Sequence, residues 1–466
     1  MMQELIGILR QYWGSYKSIP VAIGLVGVGC YSLQNEFAAS QYGRYILLGV
    51  ALAVLLWYTF VCYKRNRLPC APAGSLAVLF VVASETQKLF EAVKYKLVDS
   101  FEDAMAKNPV DGSKCHVYCI RKEVLSKYNI SNKEDVIKLL RKTNCVFLVD
   151  VKYQVDDADN AEQFEMQINY GIVHPTFDEQ REQLLAKDMA TLGTSVGKRR
   201  FVKSQTIDVF NFSVFALSHI CQYILGLVFL MTSDINGAVS FFEAIKGNLD
   251  REHRNIRVVN ALKNLVPKRL FAAYMLLARN CIANFQKDKG THYLRMCYDL
   301  LEKANGLCPD TYDYNLLRAY VVIALSGDIK TAKECVEKCK ASKADATWKY
   351  SDAFLTAYQG HAPSAIITKY QQAFRVEYPD LISIVDYIEY MLEKEPLRRE
   401  LHLAAGLIYE GIGDVRLMKR HFSLFIEGLQ PGNVRVLTAL KEKMDAVSCE
   451  MACGNNCQTC SEQRVG

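Results

Sequence analysis

Glycine and proline are scarce in this sequence, 26 and 11 of 466 residues. That excludes long disordered linkers and favours helices. A charge excess of one sign is also missing. The 56 basic and 50 acidic residues are interleaved and leave a net charge of only +6. A nucleic-acid binder needs a basic face, so no direct nucleic-acid partner is expected. Motifs that carry chemistry are absent too. The eight histidines are scattered, without a metal-ligand pair, and His116 and His174 read as structural positions in strands. No nucleophile elbow occurs. The segment Gly193-Thr-Ser-Val-Gly197-Lys198-Arg199 has three residues between its glycines where a phosphate loop needs four. It also has an arginine where that loop needs Ser or Thr for magnesium. No catalytic residue and no cofactor is assigned, and the chain reads as a non-enzyme.

What is present is unevenly spread. The first 63 residues are far more apolar than the rest. Two runs stand out, Ile19–Leu33 and Tyr45–Tyr63. The second carries no charge, enough to cross a bilayer as a helix. The first is shorter and glycine-rich, and spans where the bilayer thins or flanking residues extend it. Aromatic residues such as Trp13, Tyr45, Trp57 and Tyr63 lie near the ends, where headgroups sit. Lys64, Arg65 and Arg67 follow the second run, and Arg10 and Lys17 precede the first. The positive-inside rule then places both termini and the large soluble part in the cytosol. Residues 1–68 read as a membrane anchor, with the lipid bilayer as partner and the hairpin as a site for homo-oligomer contacts. Many of the 16 cysteines sit at core-like positions, such as Cys221, Cys281, Cys297 and Cys335, as small buried hydrophobes of a reducing compartment.

After Pro69 and Pro72 the pattern turns to strands. Ser75–Ser84 is a continuous apolar run of buried-strand length. Phe90, Val93, Leu97, Phe101 and Ala104 form a helical stripe. Lys114–Ile120 reads as a strand and Asn132–Lys142 as a helix. Phe147–Val155 and Phe164–Ile172 alternate as the arms of a β-hairpin, and a helix follows from Phe177 to about Leu192. This order over 74–192 resembles the TolB amino-terminal and FlgO-like domain family, which implies a small mixed-sheet α/β domain. In bacteria, similar domains often precede helical repeat arrays. Residues 193–209, with Lys198, Arg199, Arg200 and Lys203, read as a basic linker.

From 210 to 431 the chain reads as helix pairs. Gln222–Lys246 contains Leu225-Gly226, Phe229, Asp234, Ala238 and Phe242. Tyr320, Ile323, Asp328, Ala332 and Val336 fall in the same register, as do Gly406, Tyr409, Asp414, Met418 and Phe422. In each, Asp lies eight residues beyond the position where two helices cross, and caps the second helix. The segments resemble the tetratricopeptide (TPR) repeat, which implies a right-handed α-solenoid with a concave inner face. By that register the inner face holds Tyr223, Leu227 and Leu230, then Tyr314, Leu317 and Val321, then Leu403, Leu407 and Glu410. An apolar peptide or helix of a protein partner fits such a surface; alternatively, other helices of the same chain cover it. Residues 432–466 read as a tail in which Cys449, Cys453, Cys457 and Cys460 lie close enough to bind zinc, with redox-active or lipidated thiols as the alternative.

The expected fold class is mainly α: a two-span membrane hairpin, a small α/β domain and a C-terminal TPR-like solenoid. The expected function is a membrane-anchored scaffold for protein–protein interaction on the cytosolic side. Two alternatives remain. One is a sensor–effector, in signalling or phage defence, whose cytosolic domains detect a ligand while the hairpin oligomerises. The other is an enzyme built on the α/β domain.

Overall fold

The structure is a computed structural model. It describes residues 19–26, 28, 41–73, 75–83, 90–91, 94–95, 98–99, 115–125, 128–130, 132–152, 161–164, 183, 187–188, 190–192, 199–202, 206–231, 234–252, 257–308, 311–342, 346–376, 380–427 and 434–453. It is mainly helical with a small parallel sheet, and it divides into two compact units, Met1–Arg269 and Leu270–Gly466.

In the first unit, α1 (Gln41–Asn66) is a helix of 26 residues. Among the described residues no helix is long and apolar enough to cross a membrane. The expected two-span hairpin is therefore not supported. Tyr58 of α1 is buried together with Ala22, against Ile19. Ten large apolar side chains of α1, from Tyr45 to Tyr63, are 45–68% exposed.

Strands β1 (Leu76–Ala83), β2 (Cys115–Arg121) and β3 (Phe147–Lys152) pair in the order β2-β1-β3, every pair parallel. Among the described residues this sheet is parallel throughout, in place of the expected mixed sheet. A continuous apolar run such as β1 needs cover on both faces, and parallel strands joined by helical crossovers supply it. Helix α2 (Lys133–Thr143), capped by Asn132 and ended by Asn144 at φ 51°, buries Val136, Leu139 and Leu140 with Leu79, Val81, Ile120 and Leu148. On the opposite face the Arg121 guanidinium lies 6.0 Å from the Phe90 ring. Among the described residues β3 pairs with β1, whereas β4 (Ala161–Phe164) pairs antiparallel with β5 (Arg199–Val202). The stretch read as a basic linker thus contains a strand. The rest of the expected arm Phe164–Ile172, as well as His174, Gly193–Gly197 and Lys198, lies outside the described residues.

Helices α3 (Thr206–Met231) and α4 (Ile235–Asp250) form a pair in the first unit. A buried polar knot holds α3 in place. Arg269 donates to both carboxylate oxygens of Asp188, at 2.7 and 2.8 Å, and the Tyr223 hydroxyl donates to the same carboxylate at 2.6 Å. Asp188 is 2% exposed, so its charge is stable only because it is paired. Arg269 lies within α5 (Arg257–Asp288).

The second unit continues α5 into α6 (Thr291–Asn305), then α7 (Tyr312–Ser326), α8 (Ile329–Ser342), α9 (Trp348–Tyr358), α10 (Pro363–Phe374), α11 (Leu381–Lys394), α12 (Arg399–Ile412), α13 (Val415–Glu427) and α14 (Val434–Cys453). Short connections fold successive helices onto one another. Gly327 and Gly413 end α7 and α12 in the left-handed region, at φ 64° and 87°, where glycine is favoured. Asp234, Asp328 and Asp414 each accept a hydrogen bond from the backbone three residues on, at 3.0, 3.1 and 3.0 Å. Asp380 makes the same cap with Ser383, at 3.0 Å. Cys281, Cys297 and Cys335 are buried, and burial pushes the Cys297 thiol up to about 12. The side chain of Cys221 lies outside the described residues. The stretch read as a tail contains α14, whose Leu440 is buried and whose Lys443 pairs with Glu410 at 2.6 Å.

A Cβ added at Gly406 would stand 2.4 Å from the Phe422 ring, whereas one at Gly247 meets nothing within 4 Å. Gly406→Ala is therefore expected to cost about 1–3 kcal/mol through overpacking, read from denaturant unfolding by circular dichroism. The double change with Phe422→Leu should recover part of the loss. Gly247→Ala should be neutral or slightly stabilising.

Candidate functional site

Four alternate helices of the second unit, α5, α7, α9 and α11, each contribute one stripe to a common cavity of about 360 Å³. From α5 come Arg279, Ile282 and Gln286. From α7 come Asp313, Leu316, Leu317, Ala319, Tyr320 and Ile323. From α9 come Tyr350, Ser351, Phe354 and Leu355, with Thr347 just before it. From α11 come Ser383, Ile384 and Tyr387. The spacings of three and four follow from 3.6 residues per turn, which stacks such residues on one face.

The aromatic wall is fixed by hydrogen bonds that tie the rings to backbone. The Tyr387 hydroxyl donates to the Tyr320 carbonyl at 2.9 Å, and the Tyr350 hydroxyl to the Val376 carbonyl at 3.3 Å. The Tyr320 and Tyr387 rings lie 4.0 Å apart, and Phe354 stands 5.1 Å from Tyr387. Burial pushes the pKa of both Tyr320 and Tyr387 well up, so these phenols are neutral. The charges of the lining belong to Arg279 and Asp313, which pair at 2.6 Å and are each more than half exposed. The lining contains no histidine or cysteine. Such a site binds apolar groups against rigid rings and offers a donor and an acceptor at its edge.

Of the positions assigned to the inner face from sequence, Leu317 lines this cavity. Tyr314 and Val321 are buried, and so are Tyr223, Leu227, Leu403 and Leu407. At these positions the chain's own packing covers the side chains. Leu230 is half-buried, and Glu410 is exposed and bound to Lys443. The register on α7 is displaced by one residue, which rotates a helix by about 100°. Tyr320, placed by sequence at a helix crossing, faces the cavity instead. The contributions of α9 and α11 were hidden because their segments lack the Gly/Asp pattern. A stripe at 350, 354 and 383, 384, 387 was their available signal.

Among the described residues no group of three or more His, Cys, Asp or Glu could hold a metal ion. The side chains of Cys449 and Cys453, and all of Cys457 and Cys460, lie outside the described residues. His116 of β2 stacks beside Tyr118, with ring centroids 6.2 Å apart. No model of a known protein family matches this chain, and no curated protein is significantly similar to it.

The two kinds of position should separate under one substitution. Leu407 is 4% exposed, so Leu407→Glu leaves an unpaired buried charge, expected to cost about 3–5 kcal/mol. Leu317→Glu puts the carboxylate at the cavity and should leave stability within about 1 kcal/mol. Parallel chemical melts of the two variants measure both.

Proposed function

We propose that the chain is a membrane-anchored helical-repeat scaffold that takes an apolar segment of a protein partner into the cavity between α5, α7, α9 and α11. The observation that carries the reading is that these alternate helices each turn one stripe to the same space. A tetratricopeptide array uses its first helices in this way, and the paired Asp caps and close helix crossings support the likeness. The Arg279–Asp313 pair and the hydroxyls of Ser351 and Ser383 suit the donors and acceptors of a peptide backbone.

The anchor rests on α1. Its exposed apolar side chains lie on all sides except a stripe of Ala51, Leu55, Tyr58 and Val61. A helix apolar around its circumference is stable where its surroundings are apolar, as in lipid. The charge-free run Tyr45–Tyr63 followed by Lys64, Arg65 and Arg67 supports an orientation with the repeats in the cytosol.

A photo-crosslinking residue at Ser351 of the full chain, in its native membrane, tests the cavity. It should capture a defined protein, and Leu317→Glu should abolish the capture while helicity is kept. Capture unaffected by Leu317→Glu, or none at all, overturns the reading. Alkaline carbonate should leave the chain in the membrane pellet, and Leu52→Lys with Leu56→Lys should release it. Release of the unaltered chain overturns the anchor.

A further inference from the structure

We propose that His402 of α12 and His421 of α13 form a proton-counting latch that holds α13 against α12 and α11 and opens on acidification. The two Nδ1 atoms are 3.0 Å apart. Such a bond needs one N–H and one lone pair. The other nitrogen of His421, Nε2, lies 2.9 Å from Glu389 Oε1 of α11. The Tyr409 hydroxyl of α12 donates to the same oxygen at 3.1 Å. His421 is 3% exposed, so the contact is shielded from water.

This arrangement tolerates one added proton. With His421 charged, both its nitrogens donate, to Glu389 and to His402. A second proton on His402 sets two N–H groups and two like charges against each other, and the bond is lost. The groups acting on His402 are His421 and Arg420 from α13 and Glu389 from α11. Burial first, then the neighbouring His421 ring, with a smaller part from the Arg420 guanidinium, outweigh Glu389 and hold the His402 pKa below its ordinary 6.5. Burial works to raise the pKa of Glu389, but the His421 and Tyr409 hydrogen bonds and the Arg420 charge hold it below the ordinary carboxylate value. Burial first, then Glu389, with Asp386 and Asp414 adding to it, push the Tyr409 pKa up and keep its hydroxyl a neutral donor. A folded-state pKa held low means that the stabilisation is present above about 6.5 and lost as pH falls through the lower His402 value. The latch is independent of what fills the cavity, although Glu389 and Tyr387 share α11.

Hydrogen exchange of the full chain at pH 7.4 and 5.0, expressed as protection factors, tests the latch. Protection over Val415–Glu427 should fall about tenfold or more at the lower pH, relative to Tyr312–Ser326 as the internal reference. His402→Gln keeps an amide at the contact without a titrating charge, and should remove most of that fall. An equal fall in both proteins, or none in the unaltered chain, overturns the proposal. Should His402→Gln fail to fold, nitrogen-15 spectra of the histidines in the unaltered chain decide. The His402 ring should titrate below its ordinary 6.5, and an ordinary titration of that ring would overturn it.

Discussion

The Gly406 backbone lies against the Phe422 ring so closely that a methyl group between them would stand 2.4 Å from ring carbon. Gly226 and Phe242 make the same contact in the first unit, with 2.7 Å for the added methyl. Close approach of two helices fixes their separation, and separation fixes what can lie between them. The aspartate midway, Asp234 or Asp414, satisfies a backbone donor at the start of the second helix. A glycine at positive φ, Gly413, turns the chain before it. The pair is therefore specified locally. In the second unit the apolar sides of successive helices are covered together, in one buried cluster that includes Ile323, Phe354, Tyr387 and Phe422.

Once α7, α9 and α11 are packed in succession, one stripe of each converges on the same space. The cavity is a consequence of that packing, and hydrogen bonds between distant helices hold one of its walls and the helices beside it. The Tyr387 hydroxyl spans to the Tyr320 carbonyl, and Lys394 Nζ donates to the Ala324 carbonyl at 2.8 Å. Tyr358 donates to Glu395 at 2.6 Å, and the Arg398 guanidinium lies 3.8 Å from the Tyr358 ring centroid. These contacts bridge helices far apart in sequence. The first of them fixes the Tyr387 ring of the cavity wall, and the others join helices beside it.

Buried and half-buried polar knots do comparable work elsewhere. Asp188, Tyr223 and Arg269 in the first unit and Glu389, His402, Tyr409 and His421 in the second each bring three or more groups into one hydrogen-bonded set. A buried charge is costly unless paired, so such sets specify one arrangement of helices over others. None of them was visible in sequence. Asp188 and Arg269 are 81 residues apart, and no periodicity links them.

Local chemistry was legible in the residues themselves. The apolar run of β1, the Asn132 cap of α2 and the Asp caps eight residues past Gly226, Tyr320 and Gly406 depend on backbone geometry within a few turns. The burial of Cys281, Cys297 and Cys335 followed from helical spacing. Tertiary structure decided the rest. The parallel order of the sheet depends on which edges meet, and β5 gains strand form from its backbone ladder to β4 despite its two arginines. Which face of α7 lines a site depends on a rotation of about 100° per residue, and a sequence register uncertain by one position cannot fix it. Leu317 lines the cavity and Tyr314 is buried, although they lie three residues apart on the same face of a helix. The neighbours that cover one and leave the other open come from segments far along the chain, and packing alone brings them together.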